Sequence, residues 1–150
     1  MTKILIIEDD LVIASALKNL LNDNNYEGVI LENFSNSLEE ILKENPSLIL
    51  LDINIPYING KTLLKNLRAK SNIPVIMVTS KNSEVDEALS ITYGADDYIT
   101  KPYNPNILLL RIGAVLKRYN NNEDTITYKD LIINIPKGTI KRDIKEITLT

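Results

Sequence analysis

The chain has 150 residues and a net charge of −3, with no cysteine and no histidine. That length holds one ordinary domain and at most a small second one. The missing Cys and His exclude disulfides, thiolate or imidazole metal sites and Ser-His or Cys-His nucleophile pairs, and the acidic balance offers nucleic acid no general attraction.

The first strand-forming run is "KILII" at 3–7, which stops in three consecutive acids, Glu8, Asp9 and Asp10. Leu11, Ala14, Leu17, Leu20 and Leu21 then repeat at helical spacing. "GVILE" at 28–32 predicts a second strand and 35–44 a second, weaker helix. "SLILL" at 47–51 predicts a third strand ending at Asp52, and Leu63, Leu64 and Leu67 mark the next helix. "PVIMV" at 74–78 is a fourth strand followed by Thr79 and Ser80, with helical spacing again over 83–93. "DYIT" at 97–100 is a fifth strand, followed by Lys101-Pro102 and a helical pattern over 104–118. Five strands alternating with five helices predict an α/β fold: a doubly wound parallel sheet with helices on both faces, joined by right-handed crossovers.

The apolar runs are too short to span a bilayer, and acids follow "KILII" too soon for a secretory leader, so the expected location is the cytoplasm without a membrane anchor. The pattern changes after Arg118. Residues 120–124 are polar and linker-like. Residues 125–150 alternate apolar and polar around a turn at Pro136-Lys137-Gly138, which predicts a short antiparallel β meander.

In a doubly wound sheet, ligands bind beyond the carboxyl ends of the strands, where the strand order reverses. Four such ends carry chemistry here: Glu8-Asp9-Asp10, Asp52, Thr79-Ser80 and Lys101-Pro102. Taken singly, each has a bland reading as a solvated loop start, a turn or an N-cap. Together on one edge they predict a site. Neighbouring carboxylates repel unless a cation offsets them, and an all-oxygen donor set suits Mg²⁺, with Lys101 as a second positive charge.

The segments "ILIIEDD", "LILLDINIPYINGKTLL", "IPVIMVTSK" and "YGADDYITKPYNPNILLLRIGAVLKR" resemble the receiver domain of bacterial two-component response regulators of the OmpR/PhoB type. The resemblance covers about residues 2 to 120. It implies a (βα)5 flavodoxin-like receiver with strand order 2-1-3-4-5 over 1–119, a linker at 120–124, and at 125–150 the opening strands of an incomplete winged-helix DNA-binding domain. It also implies a phosphoacceptor that assists its own phosphoryl transfer and hydrolysis, not a turnover enzyme.

Asp52 would be the nucleophile that forms an acyl phosphate. Asp9, Asp52 and the backbone carbonyl of Asn54 would hold Mg²⁺, with Glu8 acting through water. Lys101 and Thr79 would bind phosphoryl oxygens, Ser80 would leave them room, and Lys101-Pro102 would be a cis peptide. Asp10 has no role in this pattern and is expected simply to be exposed. Thr79 and Tyr98 would be the switch pair. The dimer face would combine segment 83–93, strand 97–100 and segment 104–118, with Asp96, Asp97, Arg111 and Arg118 in ion pairs. Glu87 and Ile107 depart from the usual Lys and Glu, which removes one pair and adds apolar surface. The implied partners are a sensor histidine kinase and a second copy on phosphorylation. Promoter DNA would be reached only through the missing part of the effector domain, because sequence reading needs a helix in the major groove.

Three rival readings meet obstacles in the same residues. A haloacid-type phosphatase needs a second acid where Asn54 stands, and a dinucleotide enzyme needs glycines where "IIEDDL" has none. A pseudo-receiver, folded alike but never phosphorylated, normally lacks one of the acids or the Lys.

Overall fold

The computed structural model describes residues 1–79 and 93–129, with side chains as far as 120. Two units are distinguished, Met1–Gly113 and Ala114–Thr150. The first contains five strands: β1 (Thr2–Ile7), β2 (Tyr26–Ile30), β3 (Leu48–Asp52), β4 (Val75–Thr79) and β5 (Asp97–Thr100). They form one parallel sheet in the order β2-β1-β3-β4-β5, as expected. Every residue of β3 and β4 is buried, as are Ile4 to Ile7 of β1. Continuous apolar runs fit strands covered on both faces, which is why these three read without alternation. The outer strands β2 and β5 are only partly buried.

The described helices are α1 (Leu11–Asn22), α2 (Ser37–Glu44), α3 (Gly60–Arg68) and α4 (Pro105–Lys129). Their apolar stripes face inward: Ala14, Leu17 and Leu21 from α1, Ile41 from α2, Leu63, Leu64 and Leu67 from α3, and Leu108 and Ile112 from the part of α4 in the first unit. Leu11 leaves the expected stripe and is 71% exposed, because it is the first residue of α1 and lies outside the packed turns.

Two sequence expectations shift. β2 begins at Tyr26, not Gly28, because pairing with β1 starts at Thr2↔Tyr26; Leu31 only extends the ladder, its N–H donating to the Ile6 carbonyl at 2.9 Å. α4 runs through 120–124, the expected linker, and through 125–129, the expected start of the meander. No Gly or Pro stands between Gly113 and Pro136, so a helix already nucleated meets only weak propensities there, which a growing helix overrides. The rest of the meander, 130–150, and most of the helical segment 83–93 lie outside the described residues.

Candidate functional site

The carboxyl ends of β1, β3, β4 and β5 meet on one edge of the sheet. Asp52 closes β3 and pairs in register with Val78, so its backbone is fixed by the ladder to β4. Its side chain is largely buried, as are those of Glu8 and Thr79, whereas Asp9 is exposed. Carboxylate oxygens of Glu8, Asp9 and Asp52 lie within 4.8 Å of one another. Such oxygens can converge on one hard cation, and no nitrogen or sulfur ligand accompanies them.

The opposing cation is Lys101, just past β5. Its Nζ donates to Glu8 Oε1 at 2.5 Å and to Asp52 Oδ2 at 3.1 Å. Burial pulls the ammonium pKa down, but the hydrogen bonds and charges of Glu8 and Asp52 outweigh it and the net shift is upward. Lys101 is placed by the sheet, since its N–H donates to the Thr79 carbonyl at 2.6 Å, and the peptide that follows, Lys101-Pro102, is cis.

The loops complete the arrangement. The Asn54 N–H donates to Asp52 Oδ1 at 3.1 Å and the Asp10 N–H to Glu8 Oε2 at 3.2 Å. Asp10 is exposed but has a role that sequence reasoning missed: it is the N-cap of α1, accepting from the N–H groups of Val12 at 2.9 Å and Ile13 at 3.3 Å. An Asp immediately before an apolar periodic run was the available signal. A second omission is the ground beside Lys101. Val12, Ile13, Ala16, Pro102 and Tyr103 line with it a mostly apolar depression of about 570 Å³.

Residues further from the acids divide. Tyr98 is partly buried and packs against the core, and Asp97 pairs with Arg111 at 2.8 Å within the chain. Asp96 is engaged away from the expected dimer contacts. Its Oδ2 accepts from Arg68 Nη2 at 3.1 Å and from the Val75 N–H at 2.9 Å, at the amino ends of β4 and β5. Ile107 is 44% exposed on α4 and Leu110, which the sequence reading did not single out, 70%. Arg118 is exposed and lies in the second unit. Ser80 and Glu87 lie outside the described residues.

Comparison with known proteins bears on the fold and the family. Residues 4–113 match the response regulator receiver domain model. The chain is 40% identical over 124 residues to the sensory transduction protein RegX3 of Mycolicibacterium smegmatis, covering 83% of this chain and 54% of that protein. It is 37% identical to the regulatory protein VanR of Enterococcus faecium, covering 99% of this chain and 67% of that one. The chain thus spans little more than half the length of the first of these relatives. Among solved structures, the BeF3-activated N-terminal receiver domain of Klebsiella pneumoniae RstA superposes with a TM-score of 0.73 at 34% identity, covering 77% of this chain and 98% of that one. With the doubly wound sheet, the acid cluster and these relatives in agreement, the chain belongs to the response regulator receiver domain family of two-component systems.

Proposed function

We propose that Asp52 is the phosphoacceptor of a two-component phosphorelay, supplied by a sensor histidine kinase in the cytoplasm. The observation that carries this is the buried Asp52 carboxylate at the end of β3, clustered with Glu8 and Asp9 and capped by Lys101. A carboxylate oxygen of Asp52 attacks phosphorus, the bond from phosphorus to the donor breaks, and the donor leaves with that electron pair. The product is an acyl phosphate on Asp52.

Glu8, Asp9, Asp52 and the Asn54 backbone would hold a divalent cation of the Mg²⁺ class. When bound, Mg²⁺ supplies charge neutralisation for the phosphoryl oxygens. Lys101 can exchange its two carboxylate partners for a phosphoryl oxygen, and Thr79 offers a hydroxyl on the same edge. Positioning and charge are the main demands of a loose phosphoryl-transfer transition state. The apolar ground at Val12, Ile13 and Tyr103 suits the approach of a donor protein beside Lys101.

In the same reading, Thr79 and Tyr98 move inward on phosphorylation and a second copy docks on β5 and the start of α4. Asp97 and Arg111 would be its charges and Ile107 and Leu110 its apolar centre, while Asp96 stays with Arg68. Promoter recognition is proposed only for a chain that carries a recognition helix.

The test is intact mass after incubation with acetyl phosphate and Mg²⁺. Wild type should gain one phosphoryl group and Asp52→Asn none. An unmodified wild type would favour a pseudo-receiver that binds partners without phosphorylation.

A further inference from the structure

Gly60 opens α3, a position where glycine is a poor choice for the helix itself. Its surroundings give another reason for a residue without a side chain. A Cβ built at Gly60 falls 2.5 Å from the Asp52 carbonyl oxygen, 2.8 Å from Ile53 Cα and 3.0 Å from the Ile53 carbonyl oxygen. All three atoms are backbone, so no rotamer change relieves the clash. The Asp52–Ile53 peptide is also held from the other side, where β4 pairs Val78 with Asp52 and the Ile53 N–H reaches the Val78 carbonyl at 3.3 Å.

The loop between is closed at its base. The Gly60 N–H donates to the Ile53 carbonyl at 2.8 Å, Asn54 bridges to Asn59, and Asn59 Oδ1 caps α3 by accepting from the Lys61 N–H at 2.8 Å. The first turn of α3 therefore rests directly on the peptide that carries the acceptor carboxylate. Asn54, whose N–H holds Asp52 Oδ1, lies inside the same closure.

We infer that Gly60 is a positioning residue: its bare Cα lets α3 seat against the Asp52–Ile53 peptide and so sets Asp52 and Asn54 in register with Glu8 and Asp9 on the neighbouring strand end. This deepens the phosphoacceptor reading and rests on it for its consequence, though not for its geometry. A side chain at 60 must either unseat α3 or push the end of β3 off β4. Both displace the Asp52 carboxylate relative to the β1 acids. Displacements of about 1 Å at a reacting group can slow a reaction roughly 100-fold, and loss of support around metal ligands weakens metal binding about 10- to 100-fold.

The test uses the full chain and three readouts: the Asn54 amide chemical shift without metal, Mg²⁺ affinity by titration, and the rate of mass gain from acetyl phosphate. Gly60→Ala should move the Asn54 amide, weaken Mg²⁺ at least about 10-fold and slow phosphorylation about 100-fold. Gly28→Ala is the matched control, because its Cβ would meet the Lys18 backbone at 3.1 Å, away from the acids; it should lower the Tm and leave the three readouts near wild type. An unmoved Asn54 amide with wild-type Mg²⁺ affinity in Gly60→Ala would overturn the inference. If that variant does not fold, Asn59→Ala decides. A weakened Mg²⁺ affinity restored by the capping variant Asn59→Ser supports the seat, and an unchanged affinity overturns it. A wild-type protein that gains no phosphoryl mass sinks the phosphoacceptor reading instead, while the Asn54 amide still reports on the seat.

Discussion

Lys101 and Arg68 occupy opposite edges of one sheet and are equally shielded, each side chain 19% exposed, yet they balance different accounts of charge. At the amino ends of β4 and β5, Arg68 meets one carboxylate, Asp96, and spends its other N–H groups on the carbonyls of Gly94 at 2.8 Å and Ile73 at 2.7 Å. Asp96 in turn accepts from the Val75 N–H. Each strong polar group has a partner, and the cluster ties α3 to the entries of two strands. At the carboxyl ends, Lys101 is, among the described residues, the one cation bonded to the cluster of three acids, Glu8, Asp9 and Asp52. A satisfied network fixes a fold, whereas an edge left with surplus negative charge can still accept a cation. The burial of the two cations does not separate the clusters; among the described residues, the ratio of acids to cations does.

Removing each cation sharpens that contrast. Arg68→Ala removes the ion-pair partner of Asp96 and the donor to the Gly94, Ser71 and Ile73 carbonyls in a partly buried position, which should lower stability by about 2–4 kcal/mol. Urea denaturation would measure the loss, and Mg²⁺ affinity should stay near wild type because the acids lie at the far edge. A loss below about 0.5 kcal/mol, the range of ordinary surface substitutions, would break the structural half of the comparison.

Lys101→Met should cost less, about 1–2 kcal/mol without metal, because the N–H groups of Asp10 and Asn54 still donate to Glu8 and Asp52 and the Asp9 side of the cluster is open to solvent. The distinguishing sign is recovery. Added Mg²⁺ should raise the Tm of Lys101→Met by more than it raises that of wild type, since the cation binds only the folded cluster and no longer competes with an ammonium. An equal rise in both proteins would mean that Lys101 and the metal do not share those carboxylates.

The site edge was legible because its residues end strands that are continuous apolar runs. Burial on both faces makes the runs of β1 and β3 unmistakable, and a charged residue marks where each of these two stops, at Ile7-Glu8 and Leu51-Asp52. Topology then does the rest, since parallel strands bring all their carboxyl ends together. The Arg68 cluster had no such mark. Its partners Ile73, Gly94 and Asp96 are scattered in sequence, and hydrogen bonds to carbonyls leave no trace in residue type. Gly60 was hidden differently, because "ING" reads as a turn and says nothing of a backbone pressed against it. Residues 120–129 misled in the opposite direction. Asn and Thr-Ile-Thr carry propensities for linker and strand, which a helix extending past Gly113 overrides.

The smallest expected effect concerns alkaline pH, and it tests whether Lys101 and Tyr103 act as one site. Burial raises the Tyr103 phenol above its ordinary value of 10.0, with the Lys101 charge opposing and the Glu8 charge adding to the rise. Lys101 also sits above its ordinary 10.5, since its carboxylate partners overcome burial. A lysine whose folded pKa exceeds its unfolded one adds stability in full below the unfolded value and loses it as pH rises through the folded one. A phenol raised on folding behaves alike, because the fold prefers its neutral form. Both therefore subtract stability in the same window, from about pH 10 upward. Tyr103→Phe should flatten the fall in urea midpoint between about pH 9 and pH 11. Lys101→Met should flatten it by less than its own titration predicts, because removing the ammonium removes the one charge that lowers the Tyr103 pKa and leaves that phenol raised further. If the two single variants flatten the curve additively, their coupling is negligible and the depression beside Lys101 is only packing.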